Sequence, residues 1–134
     1  MKEKNPVNNE RRNFLKFLFG LPAISLIPGT KTESRILILE TVLAGFNYYS
    51  AELVWSKLQV GDELILRRQP HNPYDHKAVE VFWRRHKLGY LPRVDNSAIS
   101  QMMGRGQSLR AYISWLNVDD NPWKRIGINV ELVL

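Results

Sequence analysis

The stretch RRQPHNPYDHKAVEVFWRRHKLGYLPR, residues 67–93, decides the fold. Its two prolines lack an amide donor, and each disfavours the helical conformation at the residue before it. We therefore expect residues 69–76 to form a shaped loop, because strand-like runs lie on both sides of it. Such a loop projects Tyr74 and Asp75 from the sheet, which is a way to build a small polar site.

The rest of the domain alternates between short strand patterns and turns. Alternation of apolar and polar residues and β-branched runs predict strands, and helical spacing predicts two short helices. Asp95 or Asn96 is suited to cap the second helix. The long final hairpin favours a mainly β fold, a small closed or half-open barrel. The predicted strands are residues 36–44, 63–68, 78–83, 87–91, 109–115 and 126–134, and the helices are 51–58 and 96–103.

Length and composition limit the possible functions. A chain of 134 residues with 44% hydrophobic content has the size of one domain with one modest core. It has no cysteine, which excludes disulfides, thiolate zinc sites and a cysteine nucleophile. We found no glycine-rich phosphate loop, nucleophile elbow, HExxH motif or visibly paired carboxylates, so no catalytic role and no cofactor are predicted.

The charge is basic and unevenly placed. A net charge of +6 and a pI near 9.8 favour an anionic partner such as nucleic acid or lipid headgroups. Residues 1–16 carry five positive and two negative charges, and the remaining chain carries fourteen and eleven. Seven of those fourteen cations fall in residues 67–93, against Asp75 and Glu80 alone. The predicted domain is thus nearly balanced except around the loop.

The N-terminal segment has the layout of an export signal. A polar, basic leader precedes an apolar run that is shorter than the roughly 20 residues of a membrane span. The leader resembles the RRxFLK motif of twin-arginine signal peptides, with Glu10 where Ser or Thr is usual. The residues that carry this resemblance are Arg11, Arg12, Phe14, Leu15 and Lys16.

With this leader, the chain divides into three predicted parts: a signal or membrane tether at residues 1–29, a polar linker at 30–35 and a domain at 36–134. The protein would be exported across the inner membrane, and the absence of an Ala-x-Ala site leaves attachment through residues 14–28 open. The alternative is an ordinary amphipathic helix packed on the domain, although glycine and prolines interrupt the run and its apolar residues form no single stripe. In that case the leader is not used, and the protein is cytoplasmic.

Four ordered motifs carry a family resemblance. An RxPxNPYDxxA core, residues 68–78, is followed by GYLPR at 89–93 and preceded by GFNYY at 45–49 and GDEL at 61–64. Over residues 36–134 the sequence resembles the HIRAN domain, the N-terminal module of helicase-like transcription factor and related Swi/Snf-type remodellers. The resemblance implies a small OB-like β-barrel that binds the 3′-OH end of single-stranded DNA.

The resemblance also implies roles for individual residues. Tyr48 and Tyr74 would flank the terminal base, Asp75 would contact its hydroxyl, and Arg93 would hold a backbone phosphate. Asn47 and Tyr90 lie nearby in motif order. The sequence departs from end-binding members at Asn47, where they have an arginine, and at the proline before Arg93, where they have a lysine. Arg67 or Arg68 could supply the missing cation.

The residues themselves allow a functional and a structural interpretation. Two aromatic rings can sandwich a base for roughly 1–3 kcal/mol per stack, and a carboxylate accepts from a sugar hydroxyl and repels a phosphate. Alternatively, the loop is only a rigid turn, with Asp75 capping its own amides and Tyr74 half-buried over the sheet. We expect Tyr48 and Tyr49 to be adjacent on a strand, so that one points inward and Tyr48 faces the site. The four tryptophans were expected in core and rim packing.

Three classes of function follow. The first is recognition of single-stranded nucleic-acid ends. The second is binding of a small cell-envelope ligand, a nucleoside or glycan, which an exported protein would meet more readily than chromosomal DNA. The third is a metal-dependent phosphoesterase acting on acid anhydrides or nucleic acid. His71 and His76 flank the loop but are weak metal candidates, since a site needs three or four ligands.

Overall fold

The computed structural model describes residues 32–134, so the predicted signal or tether at 1–29 and residues 30 and 31 of the predicted linker lie outside the described part. Within the described residues there are six strands and two α-helices. The strands are β1 (Arg35–Val42), β2 (Glu63–Arg68), β3 (Val79–Trp83), β4 (His86–Tyr90), β5 (Leu109–Leu116) and β6 (Ile126–Val133), and the helices are α1 (Ala51–Val54) and α2 (Asn96–Gly104). Short 3-10 turns lie at Phe46–Tyr48, Trp55–Lys57 and Pro122–Lys124.

The strands form one antiparallel sheet in the order β1-β6-β5-β2-β3-β4. Its two edges meet where Ala44, just after β1, pairs with Tyr90 of β4. Each residue donates its backbone N–H to the carbonyl of the other at 2.9 Å. The sheet thereby closes on itself. The prediction of a mainly β, OB-like barrel with two short helices is confirmed, and the elements lie within a few residues of their expected bounds.

The barrel interior is filled by the inward faces of the strands. Alternation along β5 and β6 buries Ala111 and Ile113 against Ile126, Ile128 and Val130, as the period of two predicts. Phe46 and the buried residues of α1 belong to the same core, as do Leu91 and Ile99 of the β4–α2 region. The core thus supports the segments that carry the loop residues of interest.

Two local predictions were wrong. Neither Asp95 nor Asn96 caps α2 through its side chain, because both side chains have partners elsewhere. The Asp95 carboxylate accepts from Thr41 Oγ1 at 2.7 Å, and Asn96 is turned toward the β2–β3 loop. Trp115 does not continue the inward face of β5, because a bulge between Ile113 and Trp115 shifts the register. Its indole instead covers Gly127 on β6.

No helix among residues 32–134 has both the length and the apolar character needed to cross a bilayer.

Candidate functional site

An open groove of about 1230 Å³ lies at one end of the barrel. Four connections supply its walls: the turn after β1, the β2–β3 loop, the β4–α2 turn and the β5–β6 loop. Ligand pockets for small molecules are typically about 300–1,000 Å³, so this groove is large enough for more than one nucleotide-sized group. The side chains that line it and matter below are Tyr48, Arg68, Tyr74, Asp75, Tyr90, Arg93, Val94, Asn96 and Trp123.

The β2–β3 loop is a hydrogen-bonded double turn. Its base is closed by the Gln69 N–H, which donates to the Ala78 carbonyl at 2.9 Å. Asn72 Oδ1 accepts from the amides of Tyr74 at 2.8 Å and Asp75 at 3.2 Å, which is the Asx-turn that this residue type favours. As the structural interpretation predicts, the loop is a hydrogen-bonded turn in which Asp75 accepts from an amide of its own loop, that of Lys77. The same interpretation is wrong about Tyr74, which is not half-buried: its side chain is 86% exposed and lines the groove.

Each carboxylate oxygen of Asp75 accepts a hydrogen bond. Its Oδ1 accepts from the Lys77 amide at 2.9 Å, and its Oδ2 accepts from Asn96 Nδ2 at 2.8 Å. The Lys77 amide first, and then Asn96 and the Arg93 charge, outweigh the effect of burial and lower the pKa of the carboxyl. An ionised carboxylate offers about four acceptor sites, so two remain for a ligand. Asp75 is thus a charged acceptor, with 19% of its side chain exposed in the groove.

Two arginines bring positive charge to the groove. Arg93 Nε lies 3.7 Å from Asp75 Oδ2, and its guanidinium also donates to the Tyr74 carbonyl. Because 71% of the Arg93 side chain is exposed, it remains accessible to a phosphate. Arg68 lies across α2, where its Nε donates to Ser100 Oγ at 3.3 Å and its guanidinium contacts Gly104. Arg68 also lines the groove.

Tyr48 is carried by a 3-10 turn and not by a strand, so the expectation that Tyr48 and Tyr49 alternate along a strand is wrong. Gly45 precedes this turn with φ of 81°, a conformation that glycine adopts without strain. The turn leaves Tyr48 84% exposed at the groove. Tyr49 also lines the groove and packs edge-on against Tyr90, with ring centroids 5.6 Å apart.

Arg125 supports this turn from behind. Its guanidinium lies 4.2 Å from the centroid of Phe46 and 4.3 Å from that of Trp55. It also pairs with Glu52 at 2.9 Å. Arg125 follows the 3-10 turn that carries Trp123, so one cation joins the turn of Tyr48 to the turn of Trp123.

The structure brings together most of the residues that the sequence pointed to. Tyr48, Tyr74, Asp75, Tyr90, Arg93 and Arg68 line the groove. Arg67 does not line it, because it pairs with Glu80 at 3.2 Å and stacks over Phe82. Asn47 lines a smaller adjoining cavity of about 220 Å³ that shares Tyr48 and Trp123 with the groove.

Three lining side chains that bear on the site were not predicted from the sequence: Trp123, Val94 and Asn96. Trp123 was expected in core or rim packing, yet it is half exposed and lines both cavities. Val94 is almost fully exposed beside Arg93, and Asn96 binds Asp75. Val94 follows the motif arginine directly in the sequence, and its exposure is visible only in the folded domain. The Asn96 contact joins residues 21 positions apart and left no local pattern.

The two histidines do not form a metal cluster. His71 lines the groove, and His76 Nδ1 lies 3.2 Å from the Pro70 carbonyl. Across residues 32–134, no three histidine, aspartate or glutamate side chains are grouped so as to hold a metal ion.

Comparisons with known proteins identify the family. The model of the HIRAN domain matches residues 36–134. A crystal structure of a protein from Lactobacillus plantarum shares 24% sequence identity with this chain, at a TM-score of 0.65 over 75% of this chain and 97% of that one. The crystal structure of the HIRAN domain of human HLTF shares 18% identity at a TM-score of 0.59, over 74% of this chain and 78% of that one. No curated protein matches the sequence. Since the family model covers most of the chain, the protein belongs to the HIRAN domain family.

Proposed function

We propose that residues 36–134 bind the 3′-OH end of single-stranded DNA, which sharpens the general nucleic-acid-binding role of a HIRAN domain. The observation that carries the proposal is the convergence of two exposed phenol rings and one ionised carboxylate in a single groove. Tyr48 and Tyr74 offer flat faces to the terminal base. Asp75 offers acceptor sites to the hydroxyl that follows it.

Charge supports end recognition over binding along a continuous strand. A phosphate at the position of the terminal hydroxyl would lie against the Asp75 carboxylate, and like charges a few ångströms apart repel. Arg93, with most of its side chain free, would hold the phosphate that precedes the terminal nucleotide. A strand that continues past Asp75, or that ends in phosphate, is therefore disfavoured. Trp123 extends the aromatic lining and can stack a second base.

The test compares two forms of one oligonucleotide, a linear strand with a free 3′ end and the same strand closed covalently into a circle. End recognition predicts that the linear strand binds and that the circle binds much more weakly. Linear affinity should also fall with salt, because bound phosphates release counterions. Equal binding of both strands would contradict end recognition and leave a general single-strand binder.

The small-ligand function makes a different prediction. A pocket for a nucleoside or glycan would bind those ligands with little salt dependence, and a mononucleoside would compete fully with the oligonucleotide. The apolar and aromatic lining of the groove supports this alternative as well as the first. Thymidine carries a base and a 3′-OH but no phosphate for Arg93, so end recognition predicts that it displaces the linear strand only at much higher concentrations. A nucleoside pocket would bind thymidine at least as tightly as the strand. Metal-dependent hydrolysis of the strand would instead favour a phosphoesterase.

We also propose that residues 1–29 direct export by the twin-arginine pathway, leaving the domain periplasmic or tethered to the membrane through residues 14–28. The support is the sequence RRNFLK at 11–16 followed by an apolar run. The twin-arginine pathway moves folded proteins. In that compartment the ligand would be the end of an incoming or released oligonucleotide.

A further inference from the structure

Lys87 lies beneath the groove and is absent from its lining. Its ammonium donates to Tyr90 Oη at 2.8 Å and lies 3.5 Å from Glu80 Oε2. It also sits 4.3 Å from the ring centroid of Tyr49 and 4.2 Å from that of Tyr90. Only 23% of the side chain is exposed, so the charge is satisfied by protein groups.

One set of Lys87 contacts holds the segment that carries Tyr48. The ammonium lies over the ring of Tyr49, the residue that directly follows Tyr48. The Lys87 carbonyl accepts from the Ser50 amide at 2.9 Å. Side chain and backbone of Lys87 therefore fix the chain on one wall of the groove.

A second set of contacts reaches the opposite wall. Tyr90 Oη donates to Gln69 Oε1 at 2.8 Å, and Asn72 Nδ2 donates to the same oxygen at 3.0 Å. Asn72 in turn accepts from the amides of Tyr74 and Asp75. A continuous chain of hydrogen bonds thus runs from Lys87 to the backbone of the loop that carries the second stacking residue.

We propose that Lys87 is a positioning residue that sets the spacing of Tyr48 and Tyr74, and that it does so without contacting the ligand. The proposal rests on the proposed function, since the spacing matters only if a base enters between the rings. An ammonium suits the role because its three donors and its charge serve a hydroxyl, a carboxylate and two aromatic faces together. A neutral side chain of similar length supplies none of these.

Two variants separate positioning from folding and from phosphate binding. Lys87→Met removes the charge but leaves the buried Glu80 with only the mostly exposed Arg67, and this loss of pairing can unfold the domain. Tyr90→Phe keeps the ring, the ion pair and the core and removes only the hydroxyl that links Lys87 to Gln69. Arg85→Met is the control, since Arg85 is an exposed cation on the same hairpin.

The first measurement uses the protein without ligand. In Tyr90→Phe, and in Lys87→Met if it folds, the amides of Tyr74 and Asp75 should exchange hydrogen about five-fold faster than in the unsubstituted protein. The amide of Ala111 in the β5–β6 pairing should be unchanged. Unchanged exchange at Tyr74 and Asp75 in Tyr90→Phe would overturn the proposal.

The second measurement is affinity for the linear oligonucleotide at several salt concentrations. Positioning predicts roughly five- to ten-fold weaker binding in Tyr90→Phe with the salt slope unchanged. A Lys87→Met variant whose slope falls by about 0.7 would show a lost phosphate contact and overturn the proposal. If the unsubstituted protein binds no strand, the proposed function fails, while the exchange result still decides whether Lys87 orders the loop.

Discussion

Ala44 and Tyr90 exchange two backbone hydrogen bonds of 2.9 Å, and this pair both closes the barrel and sets the floor of the groove. Tyr48 follows the first partner by four residues, and the side chain of the second reaches the β2–β3 loop through Gln69. The contact that closes the sheet therefore also holds two walls of the groove next to each other. A change that opens the pair should damage both.

Gly89→Ala tests this link. A Cβ at position 89 would overlap the Ala44 carbonyl oxygen and touch Leu43, so the pair must separate. We expect a loss of roughly 1–3 kcal/mol in the free energy of unfolding, measured by urea denaturation. Val60→Ala at an exposed position should change it by less than about 0.5 kcal/mol. Equal stability of both variants would show that the barrel does not depend on this contact.

Tyr48→Ala and Tyr74→Ala should each weaken binding of the linear strand without lowering stability. Each ring is more than four-fifths exposed, so little core packing is lost. Loss of one stack, roughly 1–3 kcal/mol, corresponds to about 5- to 150-fold weaker binding by fluorescence anisotropy. Val118→Ala, another exposed position outside the groove, is the control. Affinity that survives both tyrosine substitutions would exclude a base held between these rings.

Asp75 should make the free energy of unfolding of the domain depend on pH in the acidic range. Its pKa is lowered in the folded state, chiefly by the Lys77 amide, so the ionised form stabilises the fold above the unfolded-state pKa of about 3.9. That contribution is lost as pH falls below about 4 through the folded-state pKa. Urea denaturation between about pH 6 and pH 3 should show a steeper acid loss in the unsubstituted protein than in Asp75→Asn. Parallel curves would contradict this assignment.

The export proposal predicts a change of compartment. Substitution of both leader arginines, Arg11→Lys and Arg12→Lys, should trap the protein in the cytoplasm while leaving the domain folded. Fractionation of cells with an antibody to the domain measures the distribution. The Lys2→Arg and Lys4→Arg variant keeps the leader's charge and its arginine pair, so it should be exported normally. Periplasmic recovery of the double-lysine variant would contradict use of this pathway.

The strands and the site loop were predictable because their signals are local. Alternation marks the inward faces of β5 and β6, and Pro70 and Pro73 exclude regular structure from the loop. Tyr74 and Asp75 lie on this loop and line the groove.

Contacts that form only in the folded domain could not be predicted from the sequence. Asp75 binds Asn96, and Lys87 reaches the loop through Tyr90, and neither pairing follows from spacing along the chain. The turn at Tyr48 was mistaken for a strand because aromatic residues favour strands, whereas Gly45 reverses the chain just before them. Trp123 was assigned to packing because tryptophans usually pack, and only the folded β5–β6 loop shows that it faces the groove.

The most direct measurement of the central claim is the affinity of the unsubstituted protein for two oligonucleotides that differ only at the 3′ terminus, one ending in a hydroxyl and one in a phosphate. Because the Asp75 carboxylate is ionised and faces the groove, we predict at least about ten-fold tighter binding of the hydroxyl-ended strand, or about 1.4 kcal/mol. Equal affinity for the two strands would contradict it.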